Sequence, residues 1–188
     1  MLRKTIAAVL ALLLVLSAVS VYAEDLTWGM TQEQVTRVMG IPDEEDTTVS
    51  PGNVILRYRD QHISKFDNVT LVLAFRNNAL FTRAYGIPDT SESTFTYLKG
   101  ALEQKYGASA TDSAVVVESL TILGLKVSEA TLAAAKTMGS IDYLTWYAGE
   151  DTNIVLLMIN SGDSIAVTLF YILPVDQIAD TQYNMDGL

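Results

Sequence analysis

Asn68 to Tyr85 reads NVTLVLAFRNNALFTRAY, and this run decides the fold. Val69, Leu71, Leu73 and Phe75 alternate with smaller or polar residues, the period of a strand with one buried face. Asn77-Asn78 follows, and asparagine tolerates the positive φ that a two-residue type I′ turn demands. The return strand, Ala79 to Tyr85, then sets Leu80 across from Phe75. Strict alternation places Arg76, Phe81, Arg83 and Tyr85 on the opposite face. Upstream, Asn53 to Arg59 alternates as well, with Val54, Leu56 and Tyr58 on one side and Ile55, Arg57 and Arg59 on the other. The expectation is a three-stranded antiparallel meander. Asp43-Glu44-Glu45-Asp46 and the run from Asp60 to Asp67 read as polar loops around it.

A short helix precedes the meander. Thr31 with Gln34 makes a capping box, and Met30 with Val35 a hydrophobic staple. Val35, Val38 and Met39 form one stripe. Gly40 stands where a left-handed residue ends a helix, and Pro42 blocks its continuation. So short a helix needs a sheet to lie on.

The second half repeats the plan. Gly86-Ile87-Pro88-Asp89 matches Gly40-Ile41-Pro42-Asp43 and reads as a turn. A helix follows Ser91, with Phe95, Leu98, Leu102 and Tyr106 on one face and Gly107 as its stop. Asp112 to Leu123 fits helix or strand, the spacing of Val116, Leu120 and Leu123 favouring helix. Another helix runs from Ser128 through Met138, with Val127 and Leu132 as staple. Strands are expected at 141–147, 153–160 and 164–173, with turns at Gly149-Glu150-Asp151 and Ser161-Gly162. Ile154 to Ile159 is apolar on both faces, so this strand is central. The fold class is α+β, two helix-plus-three-stranded meander units packed as one compact domain. The boundaries are 24–89 and 90–175, with a frayed, mostly polar tail over 176–188.

Residues 1–23 read as an export signal. Arg3 and Lys4 precede the apolar run Ile6 to Leu16, and Val21-Tyr22-Ala23 fits a cleavage site. An uncleaved membrane anchor is the rival reading. There is no cysteine for a lipid anchor or a disulfide. The chain from Glu24 carries 10 basic residues against 22 acidic ones, a net charge of −12, which disfavours nucleic acid and anionic membranes. The protein is expected to be exported, periplasmic or extracellular, and not anchored by lipid.

Gly29-Met30-Thr31-Gln32-Glu33-Gln34-Val35, followed by Gly40 and Pro42, resembles the SmpA/OmlA family, the small lipoprotein component of the outer-membrane barrel-assembly machine. The same helix start and hairpin are similar to the β-lactamase inhibitory protein-like fold. The resemblance covers roughly residues 26–86. It implies helices on an antiparallel sheet and a non-catalytic role in binding protein. The chain departs from the first family in having no lipidated cysteine. It departs from the second in having one Gly-Met-Thr and no disulfide.

The search for chemistry leaves little. The single histidine, His62, lies in a polar run, and no Gly-x-Ser-x-Gly elbow, phosphate loop or dinucleotide fingerprint occurs. The acidic run at 43–46 lacks the alternating ligands and turn glycine of a calcium loop. No catalytic residue, metal ligand or cofactor is nominated. The expected function is a non-catalytic protein-binding module of the cell envelope or exterior. A binder of glycan or an anionic envelope component is one alternative, an enzyme of unknown type another. The expected binding face carries Arg57, Arg59, Arg76, Phe81, Arg83 and Tyr85, suited to an acidic partner. The bland alternative pairs these arginines with acids such as Glu44 or Asp60.

Overall fold

A computed structural model describes residues 26–49, 52–63, 65–149 and 152–173. Residues 1–23, read above as an export signal, Pro51, Glu150 and Asp151 of an expected turn, and residues 176–188 lie outside the described residues. Among the described residues, no helix is long and apolar enough to cross a membrane.

The chain is α+β, and its strands form one sheet. In order, the elements are α1 (Gln32–Met39), β1 (Glu44–Asp46), β2 (Asn53–Ile63), β3 (Phe66–Arg76), β4 (Ala79–Thr90), α2 (Glu92–Tyr106), α3 (Ser113–Ile122), α4 (Glu129–Thr137), β5 (Ile141–Ala148), β6 (Thr152–Asn160) and β7 (Ile165–Ile172). The strand order is β1-β2-β3-β4-β7-β6-β5, and every neighbouring pair is antiparallel. The two meanders therefore join edge to edge, β4 against β7. The stretch at 112–123 is helix, as its apolar spacing favours.

Helices cover the sheet on both faces, and strand alternation sorts the core into two layers. In the first, Val35 of α1 and Phe95, Leu98 and Leu102 of α2 pack on Leu71, Leu73, Ile154 and Leu156. In the second, Val116 and Leu120 of α3 and Leu132 of α4 pack on Ala74, Val155, Leu157 and Phe170. β6 feeds both layers, as its two apolar faces require. β2 is also covered on both sides where it holds Ile55 and Leu56, 0% and 2% exposed, so the expectation of one buried face fails there.

The first helix forms as its residues dictate. The Thr31 hydroxyl accepts from the Gln34 amide at 3.2 Å, and the Gln34 side chain accepts from the Thr31 amide at 2.8 Å. Gly40 ends it at φ 87° and ψ −171°. That is the extended positive-φ region almost confined to glycine, not the left-handed helical one expected. The Tyr58 hydroxyl donates to the Gly40 carbonyl at 3.2 Å, tying the end of α1 to β2.

Three loop expectations are corrected. Glu44-Glu45-Asp46 is a short edge strand, registered Glu44 opposite Arg57, because ladder bonds and an arginine partner outweigh poor strand propensity. β2 continues to Ile63 past a register shift, with Asp60 at φ 53°. An aspartate bears that φ, so the polar residues continue the hairpin instead of breaking it. Gly86-Ile87-Pro88-Asp89 lies inside β4, because β7 supplies partners such as Val167 for Ile87. Pro88 falls where the register shifts, and its missing N–H costs no regular bond there.

Both sheet edges are guarded. β1 is short and acidic, which discourages pairing with another chain. On the other edge Ala110 exchanges both backbone bonds with Thr145 of β5, each 2.9 Å.

Candidate functional site

The six residues expected to share one face do not share it. Phe75 pairs with Leu80, but Ala74 pairs with Thr82, so Phe81 is the extra residue of a bulge. Beyond it every side chain of β4 changes face. Arg83 thus lies opposite Leu73, and Tyr85 opposite Leu71, in the first core layer. Arg57, Arg59, Arg76 and Phe81 remain on the second side.

The two groups have different surroundings. The Arg83 guanidinium carbon sits 4.3 Å from the centre of the Trp28 ring. Its strand neighbours are Leu73 and Tyr171. Burial pushes the Arg83 pKa down, while the Tyr85 hydroxyl beside it acts in the opposite direction. Burial likewise pushes the Tyr85 and Tyr171 hydroxyls well above their ordinary range. Trp28 is fixed in turn, its Nε1 donating to the Thr152 hydroxyl at 3.2 Å. Arg83 is a stacked, largely covered cation that joins the N-terminal segment to the sheet.

On the second side, Arg57 and Arg59 reach the two oxygens of Glu44, at 2.8 and 3.2 Å. Glu44 is one of the acids the bland alternative names for them. Arg76 instead lies over the Phe81 ring, 4.7 Å from its centre, at the rim of an open groove of about 350 Å³. The groove runs between the start of β2 with the end of β3 and the C-terminal end of α3. It is lined by Val49, Asn53, Arg76, Glu118, Ile122 and Lys126, among others. Among its described lining residues, two cations accompany one carboxylate. Ile122 is buried and Val49 half-buried.

The sequence reading kept Arg76 and Phe81 together on one face but missed this groove, because Ile122 at the end of α3 and Lys126 in the loop beyond it come some fifty residues later. No local spacing carries that signal. His62 is exposed at the end of β2 and bonds Asp67 at 2.6 Å. Among the described residues, no group of three or more His, Asp or Glu side chains could hold a metal ion. A second cleft lies where Ser91 meets the Gly162-Asp163 turn. A third cavity, lined by Ile63, Phe66 and Tyr85 among others, is apolar and of only about 20 Å³. At the start of α3, Asp112 accepts from the Ala114 and Val115 amides and from the Tyr147 hydroxyl. The tyrosine bond chiefly holds its carboxyl below the usual range. These bonds secure the helix against β5 and account for the cluster structurally.

The chain matches none of the family models, curated proteins or solved structures with which it was compared.

Proposed function

We propose that this chain is a non-catalytic protein-binding module that works in the cell envelope or outside it, and that it takes its partner in the groove beside Arg76 and Lys126. The observation that carries this reading is the groove's make-up. Arg76 and Lys126 share the groove with aliphatic Val49 and Ile122 on an otherwise acidic protein, which suits a peptide segment carrying both carboxylates and aliphatic side chains. Arg76 offers a planar fork for a carboxylate and is already held on Phe81, so little ordering is needed on binding. Val49 and Ile122 favour a peptide over a glycan, which would present few aliphatic groups to them.

Two further features support the reading. Residues 1–23 have the composition of an export signal. The helix start at Gly29-Met30-Thr31 resembles families in which helices on antiparallel sheet bind protein, and the two helix-plus-meander halves suit the inhibitory-protein-like arrangement. The test is titration of isotope-labelled protein with a panel of acidic peptides containing aliphatic residues, basic peptides serving as controls. Amide shifts at Val49, Ile122 and Lys126 that fade as salt rises are expected. Shifts confined to other surfaces, or none with any peptide, would overturn the assignment. A response to anionic polysaccharide alone would move it to the glycan alternative.

A further inference from the structure

Resting on this reading of the groove, we infer that Gly124 is a positioning residue for the partner. Its missing side chain lets the turn after α3 seat against Val49, which sets Lys126 at a fixed spacing from Arg76 and so fixes the spacing of the acids the groove accepts. Two helices end on the same backbone turn. At the end of α3 the Leu125 amide donates to the Leu120 carbonyl at 3.0 Å and the Gly124 amide to the Thr121 carbonyl at 2.9 Å. At the end of α4 the Ser140 amide donates to the Ala135 carbonyl and the Gly139 amide to the Lys136 carbonyl, both at 3.0 Å. These are the paired bonds of a Schellman turn, with glycine at the left-handed position. Gly124 has φ 83° and Gly139 φ 73°. Backbone conformation accounts for a glycine at both.

Their surroundings differ. A methyl group on Gly139 would meet nothing within 4 Å, whereas one on Gly124 would stand 3.2 Å from Cγ1 of Val49. That is short of the roughly 3.5–4.0 Å at which carbon atoms pack best. Val49 has little room to yield, because it is half-buried and packed on the second core layer. Val49 lies in the connection from β1 to β2 and Gly124 in the connection from α3 to α4. Both line the groove, so their contact is a seam between two segments that build it.

Lys126 follows Gly124 by two residues, before α4 begins at Glu129. Its approach to the groove is set by the turn, while Arg76 is held separately on the Phe81 ring. A side chain at position 124 would part the seam and shift one cation relative to the other. A partner that meets both cations at once would then lose the second contact.

The test uses the full chain and one probe, an acetylated and amidated peptide in which aspartate and valine alternate. Gly139→Ala carries backbone strain alone, and should lower the urea midpoint without changing peptide affinity. Gly124→Ala should lower the midpoint and also weaken the peptide about two- to fivefold at low salt, the effect of losing one exposed ion contact. In a Lys126→Ala chain the same change should weaken binding no further. In a Val49→Ala chain, where the added methyl finds room, affinity should equal that of Val49→Ala alone. A glycine needed only for folding would move the midpoint and none of these affinity ratios. Unchanged affinity in Gly124→Ala, or a loss that persists in either background, would overturn the inference and leave the groove reading standing. A parent chain that binds no acidic peptide would remove both. The seam is also read without peptide, as a nuclear Overhauser contact between the Gly124 Hα and Val49 methyl protons in the parent chain; its absence would overturn the inference.

Discussion

Replacing Arg83 with alanine should cost about 2 to 4 kcal/mol of stability, far more than the same change at Arg59. The difference follows from the face each occupies. Arg83 stacks on Trp28 at 4.3 Å, an interaction worth about 0.5–2 kcal/mol depending on desolvation. Its stem lies between Leu73 and Tyr171, and losing two packed methylenes adds about 0.8 kcal/mol each. The rest reflects the gap left behind. Arg59 is 63% exposed in its side chain and meets Glu44 at 3.2 Å, so its removal should cost no more than about 1 kcal/mol. Urea titration followed by circular dichroism measures both without relying on Trp28. Arg83→Met, which keeps the stem and drops the charge, should recover part of the loss. Equal costs for Arg83→Ala and Arg59→Ala would mean that Arg83 faces solvent, and the bulge at Phe81 would be refuted with it.

Gly40→Val isolates backbone strain, because a Cβ there meets nothing within 4 Å. It should cost about 1–3 kcal/mol, read by the same titration, and an unchanged midpoint would refute the helix end described here. Thr82 is 1% exposed, and its hydroxyl has no hydrogen-bond partner among the described residues. Thr82→Val should therefore be neutral or stabilise by about 1 kcal/mol, seen as an unchanged or higher thermal midpoint. Tyr85 and Tyr171 have folded pKa values raised by burial. Their contribution is complete below the unfolded value of about 10 and is lost as pH rises beyond it. Stability measured across that range should fall, and Tyr171→Phe should flatten the fall.

Local chemistry was legible wherever one residue type had one use. Thr31 and Gln34 announced their box, and Asn77-Asn78 announced the turn, with φ 49° and 65°. Ile154 to Ile159 announced a strand covered on both sides. What escaped was anything decided by a distant partner. The bulge at Phe81 lets Thr82 face Ala74 while β4 also registers on β7, and alternation within β4 holds no trace of it. That single extra residue moved Arg83 and Tyr85 from the expected binding face into the core. Glu44 to Asp46 looked like loop because acids disfavour strands, yet Arg57 across the ladder makes them one. The groove needs Lys126 and Ile122 beside Arg76, a meeting set by how α3 lies on the sheet.

The groove reading is tested most directly by one titration series. An acidic peptide with aliphatic residues is added to the parent protein and to Arg76→Glu/Lys126→Glu, at low and high salt, and the amide shifts are mapped. The account predicts shifts at Val49, Ile122 and Lys126 in the parent chain, weakened by salt and lost in the double variant. Equal shifts in both proteins, with both folded by circular dichroism, would contradict it.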